Sequence, residues 1–281
     1  MIYVECSGGL GNQLFIWNAA HHLAKHFNDR ITIVFPRDRD TRSDRPFELK
    51  ALTSLCSHDI KTRESRLLSK LTRLIDYLSK KFKIENGTFH QNLRILQWES
   101  TWEKTPLNFG KPKLVRGFFQ NYELMFNSEG TLEIRAHLNN LVHQIPPEIH
   151  EIQAIHVRRG DYMGNKSALG VLSQSFYVNN ASMEFPTIIF TDELTFDFNL
   201  NKFHPITKVL TPEALTTWQT LACLTHSKYF LGANSTLSWW AAFLRDKGTT
   251  KFPSPMYRMD SLNSESLRIP EMDYVKSEFE E

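Results

Sequence analysis

Cysteine, metal-binding patterns and long apolar runs are what this 281-residue sequence has least of. Its three cysteines, Cys6, Cys56 and Cys223, lie far apart and form no CxxC pair, which argues against a disulfide framework and a zinc site. No HExxH motif occurs, and the acidic DxD pattern of Asp38 and Asp40 lies in a basic stretch. No segment reaches the roughly 20 apolar residues of a membrane-spanning helix, and the amino terminus lacks a signal pattern. We therefore expect a cytosolic protein.

Charge is nearly balanced over the chain but unevenly distributed along it. The formal net charge is +2, with 41% apolar and 23% charged residues, as in ordinary globular proteins. Residues 61–83 hold eight basic and two acidic residues, and leucines at helical spacing predict a basic amphipathic helix from Arg63 to Lys83. This helix either packs its leucines on the core, the favoured alternative, or contacts an anionic membrane surface or a phosphate-bearing acceptor. The acidic tail, residues 271–281, is expected to be a solvated end.

A glycine-rich loop follows the first β-prone run of the sequence. The stretch SGGLGNQLF (7–15) lies between the runs 2–6 and 31–35, and Leu14, Trp17 and His21 share one helical face after it. This order predicts a strand, loop, helix, strand unit with parallel strands. The glycines let a ligand approach the backbone closely. The match to a dinucleotide-binding fingerprint is only partial, since its third glycine and its acidic residue are missing.

The second half of the chain alternates strands and helices. We predict strands at 152–157, 187–190 and 229–232, and helices around 176–183, 212–224 and 236–244. An amphipathic helix that stops at Pro146 and Pro147 sets the expected boundary between domains 1–147 and 148–281. The fold class is therefore α/β, with two parallel-sheet domains facing each other across a cleft at the carboxyl ends of their strands.

The stretch IHVRRGDY (155–162) brings charged side chains to the end of a predicted strand. Burying the guanidiniums of Arg158 and Arg159 is costly unless an anion meets them, and their planar geometry suits a phosphate. The alternative is that the two arginines form salt bridges with Asp161 or with the facing domain.

A predicted helix start at NSTLSWW (234–240) gives a second phosphate-binding signal. Asn234 or Ser235 can cap this helix, and helix amino termini attract phosphate. Asp192, at the end of the strand in FTDE, either accepts hydrogen bonds from a base or ribose or caps the next helix. A pyrophosphate site split between the two α/β domains is predicted from Arg158, Arg159, Ser235, Thr236 and the N-terminal glycines. The arginines and the helix start offer about two to two and a half positive charges by side-chain and dipole counting. Arginine is thus expected to replace magnesium, and no metal cofactor is expected.

Six motifs, in this order along the chain, resemble bacterial α-1,2-fucosyltransferases of glycosyltransferase family 11. They are GGLGNQLF (8–15), RPFEL (45–49), RGFFQN (116–121), HVRRGDY (156–162), FTDE (190–193) and NSTLSWWAA (234–242). The resemblance implies a GT-B architecture of two Rossmann-like domains and an inverting reaction without a required metal. It also implies GDP-fucose as donor and a galactose-containing glycan, lipid-linked by default, as acceptor.

The same resemblance implies roles for individual residues. Arg158 would hold the β-phosphate, with Arg159, Asn234, Ser235 and Thr236 also on the donor side, while His156 and Asp192 match positions that recognise the guanine nucleotide. The mechanism would also use a carboxylate base, for which Asp161 is the candidate because it lies near Arg158 in sequence; the alternative is that Asp161 only fixes the arginines. The glycine-loop residues expected to face fucose and the acceptor are Gly9, Gly11, Asn12 and Gln13. Ile16 departs from the family, which commonly has glutamine there.

Three other functions remain open at this point. The first is a transferase for another nucleotide sugar or another fucose linkage on the same fold. The second is a Rossmann-type oxidoreductase, for which the glycine loop is the only indication. The third is a glycan-binding module, which would not need paired arginines. Peripheral contact with the inner membrane stays an open alternative for the basic helix, and nucleic acid is not an expected partner.

Overall fold

The computed structural model describes residues 1–36, 46–54, 60–65, 89–90, 95–97, 110–126, 128–193, 197–203, 205–263 and 265–281. Its contacts form two compact units. Unit 1 comprises Met1–His137 with Ser266–Arg268, and unit 2 comprises Leu138–Glu265 with Ile269–Glu281. The boundary between the units, after His137, therefore falls within the helix Glu129–Leu141. The predicted domains 1–147 and 148–281 stay a prediction.

Unit 1 contains a sheet in the order β3-β2-β1-β6-β5-β4. Every described strand pair in it is parallel except β4 with β5. Its strands are β1 Ile2–Glu5, β2 Ile31–Pro36, β3 Ile60–Ser65, β4 Phe89–His90, β5 Ile95–Gln97 and β6 Leu114–Arg116. Its helices are α1 Leu10–Phe27, α2 Tyr122–Met125 and α3 Glu129–Leu141. The last turn of α3 belongs to unit 2.

The predicted strand, loop, helix, strand unit is confirmed as β1, α1 and β2, with β1 parallel to β2. Strand β6 ends at Arg116, because Gly117 and Phe119 take positive φ angles of 146° and 55° and turn the chain. The basic helix predicted from Arg63 is wrong at its start, since Ile60–Ser65 pairs with β2 as a parallel strand. Residues 66–83, which carry its leucines, lie outside the described residues.

Unit 2 contains a fully parallel sheet, as far as it is described, in the order β12-β11-β10-β7-β8-β9. Its strands are β7 Gln153–Val157, β8 Thr187–Thr191, β9 Ile206–Leu210, β10 Tyr229–Leu231, β11 Thr249–Ser254 and β12 Asp273–Lys276, and its helices are α4 Lys166–Leu169, α5 Gln174–Asn180, α6 Thr217–His226 and α7 Thr236–Leu244. The described 3₁₀ turns of both units are Leu49–Ala51, Val142–Gln144, Pro147–Glu151, Gly160–Asn165, Leu200–Lys202, Asp260–Leu262 and Glu265–Leu267.

Burial explains why the centre of this sheet was predictable from sequence. Every residue of β7, β8 and β10 is buried, as expected of strands covered on both faces. Helix α7 has the predicted bounds, whereas α6 begins at Thr217 and not at 212, because Thr216 and Gln219 form a capping box. The predicted α/β class with parallel sheets is confirmed in both units.

The expectation of a solvated acidic tail is wrong. Asp273–Lys276 forms β12 beside β11, and Phe279 makes an antiparallel bridge with Leu172. The tail is therefore folded: it extends the sheet of unit 2, and its partly buried Val275 and Phe279 pack against the core.

Two further expectations concern the membrane and the thiols. No helix in the described part of the chain is both long enough and apolar enough to cross a membrane. Cys6 and Cys223 are buried free thiols, and Cys56 lies outside the described residues.

We predict that Gly170→Ala destabilises the protein, because Gly170 has a φ of +73° and an added Cβ would lie 2.5 Å from Cδ1 of Phe279. The expected loss in the free energy of unfolding is about 1–3 kcal/mol, the usual cost of overpacking. Urea unfolding measures it. Gly164→Ala is the control, since a Cβ at Gly164 meets nothing within 4 Å. Equal stability of the two variants would contradict the prediction.

Candidate functional site

The strand order of unit 2 creates a topological switch point between β7 and β10. From β7 the chain proceeds to β8 and β9 on one side, and then crosses to β10, β11 and β12 on the other. In open α/β sheets, ligands bind outside the carboxyl ends of the strands at such a point. Because Ile155 pairs with Leu231 and Val157 with Thr191, β7, β8 and β10 end at one edge of the sheet.

The turn after β7, residues 158–161, is held by a carboxylate from the end of β8, and we call it the RRGD turn. Asp192 Oδ1 accepts hydrogen bonds from the backbone N–H groups of Arg159, at 2.9 Å, and Gly160, at 3.1 Å. A Cβ on Gly160 would lie 2.5 Å from Asp192 Oδ2, so only glycine allows this approach. Asp192 thus fixes the path of the turn.

The guanidinium of Arg158 lies between two carboxylates. Its Nη1 is 2.8 Å from Asp192 Oδ2, and its Nη2 donates to Asp161 Oδ1 at 2.6 Å. Its centre lies 5.4 Å from the ring centroid of Tyr162. The side chain of Asp192 is 12% exposed and that of Asp161 is 55% exposed. The pairing of Arg158 with Asp161 that the sequence left open is therefore present, and Asp161 is the solvent-facing partner.

Arg159 points elsewhere and is buried, with 7% of its surface exposed. Its Nε lies 3.2 Å from Glu193 Oε2, its Nη1 donates to Glu280 Oε1, and its guanidinium stacks 5.2 Å from the ring centroid of Phe198. Two arginines therefore meet four carboxylates around the RRGD turn. The two to two and a half positive charges counted from the sequence are therefore not a net excess, because these carboxylates balance the arginines.

His156, on β7, is joined to the first turn of α7. Its Nδ1 lies 2.6 Å from Ser238 Oγ, and that oxygen also accepts a hydrogen bond from the Ala233 N–H at 2.9 Å. A hydroxyl has one proton and two lone pairs, so Ser238 either donates to Nδ1 or accepts from it, according to the tautomer of His156. Burial, together with the charge of Arg158 and against that of Asp192, lowers the pKa of His156 from 6.5 to about 4.

The NST stretch caps α7 and braces a neighbouring loop. Ser235 Oγ accepts from the Ser238 N–H at 3.1 Å, which makes Ser235 the amino-terminal cap. Asn234 is fully buried, and its Nδ2 donates to the carbonyls of Leu169 and Gly170, both at 3.0 Å. Thr236, the first residue of α7, is partly exposed beside the helix start.

In unit 1, the glycine loop is tied to two other motifs. Gln13 is fully buried; its Nε2 donates to the carbonyls of Gly8, at 2.9 Å, and Pro46, at 2.8 Å, and its Oε1 accepts from the Glu48 N–H at 2.9 Å. Asn12 Oδ1 accepts from Gln120 Nε2 at 3.1 Å. Gln13 therefore supports the shape of the loop, and Gly9 and Gly11 begin α1.

The structure thus brings His156, Arg158, Asp161 and Asp192 together at the switch point, with Ser235 and Thr236 at the adjacent helix start. The guanine, phosphate and sugar contacts implied for these residues and for the glycine loop stay predictions. Sequence reasoning missed Ser238 and Glu280, which no local motif marks as partners of His156 and Arg159. Arg45, Asp38 and Asp40 lie outside the described residues. Among the residues that are described, no three or more His, Cys, Asp or Glu side chains are grouped to hold a metal ion.

Comparisons with known proteins find one matching family, two relatives and a structural neighbour. A sequence model of the family described as Glycosyl transferase family 11 matches residues 1–276. The alpha-1,2-colitosyltransferase of Escherichia coli is 21% identical over 291 residues, covering 94% of this chain and 95% of its own. The O-antigen biosynthesis glycosyltransferase WbnK of Escherichia coli is 25% identical over 274 residues, covering 86% and 90%. Among solved structures, the fucosyltransferase NodZ from Bradyrhizobium has a TM-score of 0.46 and 13% identity, covering 87% and 93%.

We predict that His156 makes the protein less stable as the pH falls from 6.5 toward 4. In this pH window the unfolded chain binds a proton at residue 156 that the folded chain excludes. The contribution of neutral His156 to the free energy of unfolding is therefore fully present above pH 6.5 and is lost on acidification. The free energy of unfolding should fall by about 1.4 kcal/mol per pH unit because of His156, and by about 3 kcal/mol over the whole window. Urea unfolding of wild type and His156→Gln at several pH values isolates this slope. Parallel curves for the two proteins would overturn the assignment of a neutral His156.

Proposed function

The chain belongs to glycosyltransferase family 11, as its motifs predicted, and from this premise we propose that it transfers L-fucose from GDP-fucose to a galactoside hydroxyl. The product linkage is α-1,2, formed with inversion, and the acceptor is a galactose-containing, lipid-linked surface glycan. The observation that carries the proposal is the hydrogen bond between His156 and Ser238 at the switch point of unit 2. It joins the end of β7, two residues before the RRGD turn, to the first turn of α7. The RRGD turn and the start of α7 are both suited to a pyrophosphate.

The donor phosphates bind at Arg158 and at the amino terminus of α7. The first-turn N–H groups of a helix have no partner within the helix and carry about half a unit of positive charge. The hydroxyls of Ser235 and Thr236 lie at this end. Asp192 keeps Arg158 in place because its other oxygen is committed to the backbone of the turn. The more exposed Asp161 is the partner whose position on Arg158 a phosphate oxygen takes.

Arg158 then acts selectively on the transition state. Breaking the bond between fucose and phosphate leaves negative charge on the β-phosphate and an oxocarbenium-like sugar. A cation fixed at the leaving oxygen stabilises that charge more than it stabilises the ground state. Arg159 is buried between carboxylates, and its part in donor binding is to hold the turn.

Asp161 is the proposed base for the acceptor hydroxyl. Its carboxylate is released when a phosphate oxygen takes its place on Arg158, and its exposure leaves it accessible to an acceptor. Attack on the face opposite the leaving phosphate gives inversion. The reaction is proposed to need no metal, and peripheral membrane contact through the basic segment 63–83 is a proposal as well.

A second candidate is the transfer of colitose, favoured by the similarity to the alpha-1,2-colitosyltransferase. Colitose is fucose without its 3-hydroxyl. A site that hydrogen-bonds a hydroxyl rejects the analogue that lacks it by about 10⁴-fold or more. Rates with GDP-fucose and GDP-colitose therefore separate the two candidates clearly.

The direct test is incubation of the protein with GDP-fucose and a panel of β-galactosides, with and without EDTA. We expect a mass gain of one deoxyhexose and a product sensitive to α-1,2-fucosidase, at a rate that EDTA does not change. Transfer only from another nucleotide sugar would refute the donor assignment. Loss of transfer in EDTA with recovery in manganese would refute metal independence.

Arg158→Lys is expected to lose most transfer activity while staying folded. Lysine keeps the charge but cannot bridge two oxygens with a planar fork. The loss in transition-state stabilisation should be about 2–4 kcal/mol, or roughly 30- to 1000-fold in kcat/KM. The matched control is Arg30→Lys, the same change at an exposed position of unit 1. Turnover by Arg158→Lys near that of the control would sink the phosphate assignment.

Asp161→Asn separates a base from a structural partner. If Asp161 is the base, kcat falls by roughly 10²-fold or more, the usual contribution of general base catalysis. The donor KM does not rise, because the carboxylate that competes for Arg158 has been neutralised. Steady-state kinetics in both substrates give these values. A variant with wild-type kcat would show that Asp161 only orients Arg158.

A further inference from the structure

The last four residues, 278–281, fold back onto the segment that follows the RRGD turn, and we call them the C-terminal latch. The Ser173 N–H donates to the Glu278 carbonyl at 2.8 Å, and the Glu280 N–H donates to the Val171 carbonyl at 2.7 Å. Between these bonds, Leu172 and Phe279 form an antiparallel bridge. The latch is thus held by backbone pairing on both sides of Phe279.

The carboxylate of Glu280 meets two cations. Arg159 Nη1 donates to its Oε1, and Lys166 Nζ lies 3.1 Å from its Oε2. The backbone carbonyl of Glu280 accepts a third bond, from Arg258 Nη2. Glu280 therefore connects the RRGD turn, through Arg159, with the start of α4, where Lys166 lies.

Phe279 anchors the latch beside the NST stretch. Its ring packs against the core cluster that includes Leu172 and Phe176, and the Arg258 guanidinium lies 5.5 Å from its centroid. A Cβ added to Gly170 would lie 2.5 Å from the same ring, and the Gly170 carbonyl accepts a hydrogen bond from Asn234 Nδ2. The latch therefore contacts the RRGD turn directly, through Glu280 and Arg159, and is connected to the NST stretch through Gly170.

We propose that Glu280 is a positioning residue for donor binding, an inference that rests on the proposed function. Arg159 is buried, and its guanidinium is shared by Glu280 and Glu193. Without the Glu280 carboxylate, one partner remains for a buried charge, which is strongly unfavourable. Arg159 then shifts toward other acids or solvent and moves the turn that carries Arg158.

Positioning and simple electrostatics predict opposite changes in Glu280→Gln. The substitution removes one negative charge close to the proposed phosphate site, so electrostatics alone lowers the KM for an anionic donor. Loss of positioning raises it, because a misplacement of about 1 Å can cost 10²-fold. We expect a donor KM at least fivefold above wild type, with an unchanged acceptor KM.

The matched control is Glu278→Gln in the same latch. This substitution removes the same charge as Glu280→Gln. The Glu278 carboxylate lies on an exposed surface, where its Oε2 accepts a hydrogen bond from Ser175 Oγ at 2.9 Å. This variant should keep the wild-type donor KM. Glu280→Asp keeps the charge and should recover most of the donor affinity. A folding defect alone would lower kcat through the fraction of active enzyme and leave KM unchanged.

Amide hydrogen exchange supplies a readout that does not depend on the donor. We expect faster exchange at Arg159 and Gly160, whose N–H groups bind Asp192, in Glu280→Gln but not in Glu278→Gln. Unchanged exchange, or an unchanged or lower donor KM, would overturn the positioning role. If the wild type fails to use GDP-fucose, the proposed function fails, while the exchange comparison still decides the role of Glu280.

Discussion

The carboxylate of Asp192 is the group on which the arrangement of the unit 2 site depends. One oxygen accepts hydrogen bonds from two backbone N–H groups of the RRGD turn, and the other forms an ion pair with Arg158. Hydrogen bonds to an ionised group are roughly twice as strong as neutral ones, so this carboxylate can set both the backbone and the side chain. Because Asp192 directly follows β8 and Arg158 directly follows β7, the register between these two strands determines where Arg158 lies.

Charge balance explains how two adjacent arginines can be held at the end of a buried strand. An unpaired guanidinium there would cost several kcal/mol, and each arginine instead meets two carboxylates. The two pairings differ in consequence. Arg159 is enclosed by its partners, whereas Arg158 has one fixed partner and one exposed partner. In the proposed reaction, phosphate recognition arises from the exchange of Asp161 for a phosphate oxygen and not from an excess of positive charge.

The sequence predicted those elements that depend on residues close together along the chain. Helix α7 was predicted with its observed bounds because a strand, a cap at Ser235 and an apolar helix follow one another directly. Strands β9, β11 and β12 were missed, since their pairing depends on the strand order of the sheet and not on their own short patterns. Glu280 lies 121 residues from Arg159, and Ser238 lies 82 residues from His156. The charge prediction failed for this reason: the arginines are adjacent in sequence, while most of the acids that balance them are far away.

The identity of the transferred sugar is a separate problem from recognition of the phosphates. The RRGD turn and the start of α7 offer charge and N–H groups, which suit any nucleoside diphosphate sugar equally. Fucose and colitose differ by one hydroxyl, which only a neutral hydrogen-bonding group close to the sugar can read. Two transferases can therefore share such an arginine turn and still act on different deoxyhexoses. The sequence-based prediction gives this discrimination to the glycine loop, where Gln120 fixes Asn12 and Gln13 fixes the backbone. On that prediction, a change in sugar preference requires a change in the loop or in its supports and leaves the arginines as they are.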